Sequence, residues 1–530
     1  MRLTSGMGTN LRRLVLPLAV TAITVLAYAN SFSGSFLLDD YRNIARNPHI
    51  GRFWEQVLNS TRPVVGLSFY LNHKLGNHAE IGVKAADYHL VNLVIHLIAG
   101  LLLFGIVRRT LRLPGLAERY GGDAAGLGAV VAAVWLVHPL QTAAVTYIVQ
   151  RAESLMGMFY LLTLYCMARS FRSGRPNRWH TAAIVACALG MATKPTMVTA
   201  PVMVLLYDRV FLAESFGDLF RRRGHVYLVL AATWLVLAAL LAVPNESTTS
   251  AGFGAGLLSP AGYLQTQCVV VAHYLGLVFY PAGLCLDYAW PAASASEAAL
   301  PGAALLVMLV TSVWLYARGS GLGMGGLWFF VALAPSSSII PVADYAFDHR
   351  MYVPLAGIVV VVVFAVHALL RDRIRKRLLT GLGLAGIVVL ASMTYLRNCD
   401  YQTEENMWSD VVQKAPHNLR ARNDLAVALS EAGKAKEAIM QYNEVLARIP
   451  DEDMARFQRG DVDLRAMIPA NSHRQNYFRA HANLGLLNHL LLKDYGAAAD
   501  HFRAALKVNP GHAEVRAKLA AVEAKLGKRE

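Results

Sequence analysis

Asp39 and Asp40 stand side by side in Ser35-Phe36-Leu37-Leu38-Asp39-Asp40-Tyr41, directly after the first apolar stretch of the chain. A carboxylate placed there can act as a base on a substrate held half in lipid. A serine or threonine hydroxyl is a poor nucleophile and gains from a positioned base. Two neighbouring carboxylates separate their proton affinities, so one can serve as base while the other orients the acceptor or binds a donor group. On the doublet alone, the plainer reading of solvated residues at the end of a span is equally open.

A second set of charges interrupts apolar sequence. Arg151 and Glu153 lie in Tyr147 to Ser154, Lys194 in Ala192 to Thr196, and Asp348, His349 and Arg350 just before Met351-Tyr352-Val353-Pro354. Ionisable groups at membrane depth are costly and usually functional. Cations on one side suit a phosphate, which Arg engages with a bidentate fork and Lys as a point charge. The competing reading is snorkelling to the interface, and it weighs most on Arg151. His138, His89 and His96 fit better as packed, hydrogen-bonded residues. No His-x-x-x-His spacing occurs. A caged metal is therefore not expected, which leaves only a loosely held divalent cation at Asp39/Asp40. No phosphate-cradling glycine loop points to a nucleotide-driven pump.

The elements that must hold these groups are membrane helices. The 530 residues are 55% hydrophobic and 16% charged, against about 25% charged in soluble proteins. Mean hydropathy is +0.38. Apolar runs long enough to cross about 30 Å of hydrocarbon recur through the first 400 residues. The net charge of +15 sits largely in short loops, where it sets orientation, and does not argue for nucleic acid. Cys166, Cys187, Cys268, Cys285 and Cys399 form no Cys-x-x-Cys pair and imply neither a disulfide framework nor a metal site. Residues 11–29 lack a small-residue cleavage site and read as a retained first span.

Arg2, Arg12 and Arg13 predict an inner N-terminus. Asp39 and Asp40 then emerge on the outer face, in a loop over 30–87. Spans are expected near 88–107, 125–141, 152–169, 180–193, 196–211, 225–243, 303–317, 325–341, 351–370 and 378–396. The basic loops with Arg108, Arg109 and Arg112, with Arg172, Arg175 and Arg178, with Arg221–Arg223, and over 371–377 read as inner. Segment 263–280 breaks the parity and reads as re-entrant or interfacial. This gives about eleven true spans.

After Arg397 charged residues alternate with Ala and Leu. Leu425, Ala426, Leu429, Gly433, Ala438, Tyr442 and Pro450 fall at the offsets of a tetratricopeptide repeat of about 34 residues. Leu484, Gly485, Ala498, Phe502, Ala505 and Pro510 repeat them with one residue extra. Trp408 and Pro416 fit the second helix of an incomplete first unit. Residues 511–527 suit a solvating cap, and 451–473 a connector. The expected fold is all-α: a polytopic membrane domain over 1–396, then a soluble α-solenoid over 397–530, on the outer side.

The ordered set of local motifs resembles the transmembrane and tetratricopeptide repeat-containing O-mannosyltransferases, which have the GT-C glycosyltransferase fold. The resemblance is carried by Phe36-Leu37-Leu38-Asp39-Asp40 with Asn47-Pro48 and by Arg62-Pro63-Val64 with Leu67-Ser68-Phe69. Tyr88-His89-Leu90-Val91-Asn92 with His96, His138-Pro139-Leu140-Gln141-Thr142 through Arg151-Ala152-Glu153, Leu205-Leu206-Tyr207-Asp208 and Arg350-Met351-Tyr352-Val353-Pro354 extend it. The chain departs from the family at Lys194-Pro195, where Lys-Glu is usual, at Thr142-Ala143 (Thr-Glu) and at Gln150 (glycine). These departures bear on sugar and acceptor more than on fold.

The resemblance implies an inverting transferase that moves mannose or another hexose from a polyprenyl-phosphate donor to Ser or Thr of exported proteins. Asp39 and Asp40 would be its catalytic pair. Arg350, Lys194 and Arg151 would hold the donor phosphate, supported by His138, His89, Glu153 and His349. The repeats would grip the acceptor protein, and membrane lipids would surround the rest. The Ala-rich composition and compact loops suggest a bacterial inner membrane with the site facing the periplasm, or the ER lumen in a eukaryote. A transferase acting on a lipid or polysaccharide, and a non-enzymatic membrane-anchored repeat scaffold, are the rival readings.

Overall fold

The computed structural model describes residues 4–76, 82–171, 173–243, 258–460 and 472–527, with side chains from residue 14 onward. Arg2, the side chains of Arg12 and Arg13, Arg172, residues 244–257 and residues 461–471 lie outside the described residues. Helices are the regular elements among the described residues, and none of those residues forms a strand. Every expected span corresponds to a helix, from Thr4–Ala27 to Lys376–Asp400. Segment 263–280 is also helical, within Pro260–Phe279.

Among the described residues, five helices are long and apolar enough to cross a membrane: Leu14–Ser33, Ala85–Thr110, Phe216–Leu241, Ala295–Ala317 and Lys376–Asp400. A sixth span arises if Ala124–Leu136 and Pro139–Val145, bent by 56° at their junction, count as one. The expected number of about eleven exceeds this because several apolar helices are shorter, among them Gly321–Leu333 and Pro354–Leu370. The long helices turn apolar side chains outward. Leu228 is 73% exposed and Leu300 80%, a surface that belongs in hydrocarbon rather than water.

The bend has a local cause. Pro139 lacks an amide donor and disfavours helical backbone in the residue before it. His138 is accordingly extended (φ −73°, ψ 130°), and its Nδ1 accepts the Leu140 amide. Its Nε2 lies 3.0 Å from the Val278 carbonyl oxygen. His138 is thus a cap on the break. The break swings residues 139–150 across the end of the bundle, where they meet the loop that carries Asp39.

The repeat region forms as its pattern predicts. Leu425, Ala426, Leu429, Ala438 and Tyr442 are buried between Leu419–Glu431 and Ala435–Ala447. Leu484, Ala498, Phe502 and Ala505 are buried between His473–Leu487 and Tyr495–Val508. Side-chain caps start the helices: Thr403, Asn418, Ser472 and Asp494 each accept an amide of the first turn. The extra residue of the second unit is absorbed by a π-helical turn, Asn488–Leu492, followed by Lys493 at φ +56°. Trp408 is buried in Glu404–Lys414, as expected for a partial first unit. Of the connector over 451–473, the described part includes the short helix Asp451–Arg459.

Gly485 is required by contact. A Cβ there would come within 2.7 Å of the Phe502 ring. Gly485→Ala is expected to destabilise this helix pair by about 1–3 kcal/mol. The check is the thermal unfolding of the full chain, where an unchanged midpoint would contradict this packing.

Candidate active site

The segment after the first span is pinned at both ends. The Ser35 amide donates to the Tyr401 carbonyl oxygen at 3.2 Å, and Ser35 Oγ to that of Gln402 at 2.7 Å. Leu38 lies at φ +44°, a conformation few non-glycine residues adopt. Such strain persists only where the surroundings over-determine it, and it clusters at functional sites. Its effect is to turn Asp39 and Asp40 to opposite sides.

Asp40 faces inward and is fully buried. Its Oδ2 accepts the Leu37 amide at 3.0 Å and its Oδ1 the Val149 amide at 2.7 Å. Both oxygens are spent on the backbone, so Asp40 ties the doublet to the turn that starts Arg151–Ser170. The two carboxylates of the doublet are thus placed differently: both oxygens of Asp40 are bonded inside the protein, while Asp39 is exposed. Among the described residues there is no cluster of three or more His, Cys, Asp or Glu able to hold a metal.

Burial pushes the Asp40 carboxyl up to about 8, although the two amides pull it down. A carboxyl raised above its unfolded value near 3.9 binds its proton more tightly in the folded state. Its contribution to stability is full at low pH and is lost as pH rises towards and through 8. The unfolding midpoint should therefore fall between pH 5 and pH 9, and Asp40→Asn should flatten that fall. Equal slopes in parent and variant would contradict the assignment.

Asp39 faces outward and is solvent-exposed. Its amide donates to Tyr147 Oη at 3.2 Å, and its carbonyl oxygen accepts Asn43 Nδ2 at 2.8 Å. Partial desolvation by the surrounding protein raises its carboxyl and Asp344 adds to that, while Arg420, Arg42 and Arg62 pull it down. Arg42, three residues on, and Arg62 and Arg420, far off in sequence, thus act on one open carboxylate.

A second group adjoins it through Arg62, which feels both Asp39 and Glu153. Glu153 is buried and pairs with Lys194 Nζ, itself mostly buried. Lys194 lies within the field of Arg62 and Arg350. His349 stacks on Phe347 at 5.1 Å and faces Lys194, Arg350 and Arg62. Burial and these cations hold its imidazole well below the usual range. Arg350 donates to the carbonyl oxygens of Tyr345 (2.9 Å), Asp344 (2.5 Å) and Ser336 (3.3 Å), which shapes the wall around them. Lys194, Glu153 and His349 thus lie within the electrostatic reach of Arg62, as Asp39 does, and Arg350 within that of Lys194 and His349.

Arg151 does not join them. It is fully buried. Nε donates to Asn92 Oδ1 at 2.6 Å and Nη2 to Asn72 Oδ1 at 2.8 Å and the Tyr88 carbonyl oxygen at 3.0 Å. Its guanidinium stacks 4.6 Å from the Phe69 ring. It joins its own helix to the segments that carry Asn72, Tyr88 and Asn92. His89 is buried against Gly34, behind the Asp39 loop. His96 lies between Tyr352 Oη and the Leu136 carbonyl oxygen, each at 2.9 Å. Together with His138, these are packed residues.

Arg62 and Arg420 were not singled out as site residues from sequence. Arg62 stands in the Arg62-Pro63-Val64 element, which carried a signal. Arg420 belongs to the first full repeat and carried none. It bridges Asp287 with a fork (both 2.7 Å) and Asp344 at 3.0 Å. The fork holds the Asp287 carboxyl below its usual range despite burial. Asn418 and Lys414 add bonds to the carbonyl oxygens of Asp287 and Leu284. The repeats are thereby clasped to the wall of the site. Asp287→Asn should loosen that clasp, seen as faster amide exchange over 404–431 with the membrane helices unchanged; unaltered exchange would contradict it.

No family model matches the chain, and no solved structure does. Curated proteins do. A protein O-mannosyl-transferase of Caenorhabditis elegans is 22% identical over 469 residues, covering 82% of this chain and 63% of its own. Protein O-mannosyl-transferase TMTC4 of Mus musculus is 21% identical over 491 residues, covering 80% and 65%. Drosophila melanogaster Tmtc2 is 29% identical over 250 residues, covering 43% and 25%. The chain resembles the TMTC-type protein O-mannosyl-transferases. It spans slightly less than two thirds of the length of the first two relatives.

Proposed function

We propose that the chain is a membrane glycosyltransferase of GT-C type. It moves mannose or another hexose from a polyprenyl-phosphate donor to Ser or Thr hydroxyls of exported proteins, on the face away from the cytosol. One observation carries the reading: an open carboxylate, Asp39, is set among cations at the end of a helical bundle, with a helical repeat clasped to Asp287 and Asp344 beside it. The names of the related proteins supply the sugar and the acceptor class.

In this reading the acceptor oxygen attacks the anomeric carbon as the bond from that carbon to the phosphate oxygen breaks. The hydroxyl proton passes to Asp39, and the electron pair leaves with the polyprenyl phosphate. Lys194, Arg62 and Arg350 stabilise the charge that gathers on the leaving phosphate. Asp40 and Arg151 act at one remove by fixing the Asp39 loop and the helix beneath it. Catalysis is then mainly positioning and electrostatic stabilisation. The repeats offer the acceptor a concave helical surface.

The repeats also favour a protein acceptor over a lipid or polysaccharide. A deletion strain should lose hexose from exported proteins by mass spectrometry and keep its glycolipids. Loss of a glycolipid with intact glycoproteins would overturn the acceptor assignment. A bacterial inner membrane is the proposed home, with the ER membrane the equivalent in a eukaryote.

A further inference from the structure

The Ala85–Thr110 helix starts beside the candidate site, where Tyr88 packs on Phe36. Arg108, further along the same helix, lies about 30 Å from Tyr88 at about 1.5 Å per residue, one hydrocarbon thickness. A cavity of about 490 Å³ opens at that far end. Arg108, Arg109 and Arg112 line one part of it, and Ile98, Leu101 and Leu102 another. No carboxylate is among its lining residues.

Arg109 is fixed by its neighbours. Arg109 Nη2 donates to Tyr165 Oη at 3.2 Å, and the guanidinium lies 5.2 Å from that ring. Arg169 Nη1 donates to the same oxygen at 3.1 Å. Arg109 Nε is buried with no hydrogen-bond partner among the described residues. Tyr165 closes over Gly105, where a Cβ would come within 2.5 Å of its ring. A cationic head region thus opens onto an apolar wall that continues along a membrane helix.

We propose that this cavity binds an anionic membrane phospholipid, with its phosphate at Arg109 and Arg112 and an acyl chain along Ile98, Leu101 and Leu102. The charge admits an anion and the apolar wall requires a chain, so a free phosphate would use only half of the site. The cavity lies across the bilayer from Asp39 and takes no part in the proposed transfer.

The test uses the full chain purified in neutral detergent. Phosphatidylglycerol, phosphatidylcholine with the same acyl chains, and inorganic phosphate are titrated separately, with native mass spectrometry and thermal unfolding as readouts. Phosphatidylglycerol should bind on the order of tenfold tighter than phosphatidylcholine and raise the unfolding midpoint, while inorganic phosphate leaves it unchanged. Arg109→Gln with Arg112→Gln should weaken phosphatidylglycerol by about fivefold per arginine removed. Should that pair fail to fold, Arg112→Gln alone, at an exposed position, should still weaken it about fivefold. Equal binding of the two lipids, stabilisation by inorganic phosphate alone, or undiminished binding by the variant would each overturn the proposal.

Discussion

Asp39→Asn is expected to lower sugar transfer by about 10²- to 10⁴-fold, the usual worth of a positioned base, without unfolding the chain. The amide keeps the shape of an exposed side chain and removes the proton acceptor. The pH profile offers a finer check. Partial desolvation by the surrounding protein raises the Asp39 carboxyl, and Arg420, Arg42 and Arg62 lower it. A base works only when ionised, so transfer should rise with pH through that value and then level off. Arg62→Gln removes one lowering cation, so the rising limb should move to higher pH. A purely structural role for Arg62 would lower the rate and leave the limb in place. Wild-type transfer by Asp39→Asn would end the proposed chemistry.

Arg151→Lys is expected to be nearly as damaging, through stability. The guanidinium joins Asn92, Asn72 and the Tyr88 carbonyl oxygen at once. A lysine ammonium has no planar fork to span them. It would leave buried acceptors unpaired, each costing about 1–3 kcal/mol, so a total loss of about 3–5 kcal/mol is reasonable. The variant should show a lower unfolding midpoint and poor yield. Whatever folds should keep near-normal apparent affinity for the lipid donor. A stable variant with selectively weakened donor binding would return Arg151 to the phosphate and contradict its place as a strut.

The helices were legible because periodicity and apolar length are local properties. The repeat offsets located Leu425, Tyr442, Leu484 and Phe502 in the buried seam before any contact was known. Even the one-residue misfit of the second repeat had a physical counterpart, the π-helical turn at Asn488–Leu492. Facing was harder. Asp39 and Asp40 are neighbours in sequence, yet one is exposed and the other fully buried. The division depends on the positive φ of Leu38 and on the Val149 amide, which only the folded chain supplies. Arg151 resembled a cation at a span end because its partners come from Asn72, Tyr88 and Asn92. Arg420 carried no signal because its meaning lies in Asp287 and Asp344, far earlier in the chain.

The most direct test is reconstitution of the purified full chain in liposomes with a polyprenyl-phosphate mannose labelled in the sugar, a nucleotide-linked mannose as control, and a Ser/Thr-rich exported protein as acceptor. The account predicts that label reaches the protein from the lipid donor alone, with inverted anomeric configuration, and that Asp39→Asn abolishes it. Transfer from the nucleotide sugar, or no protein-bound label from the lipid donor under conditions where the chain is folded, would contradict it.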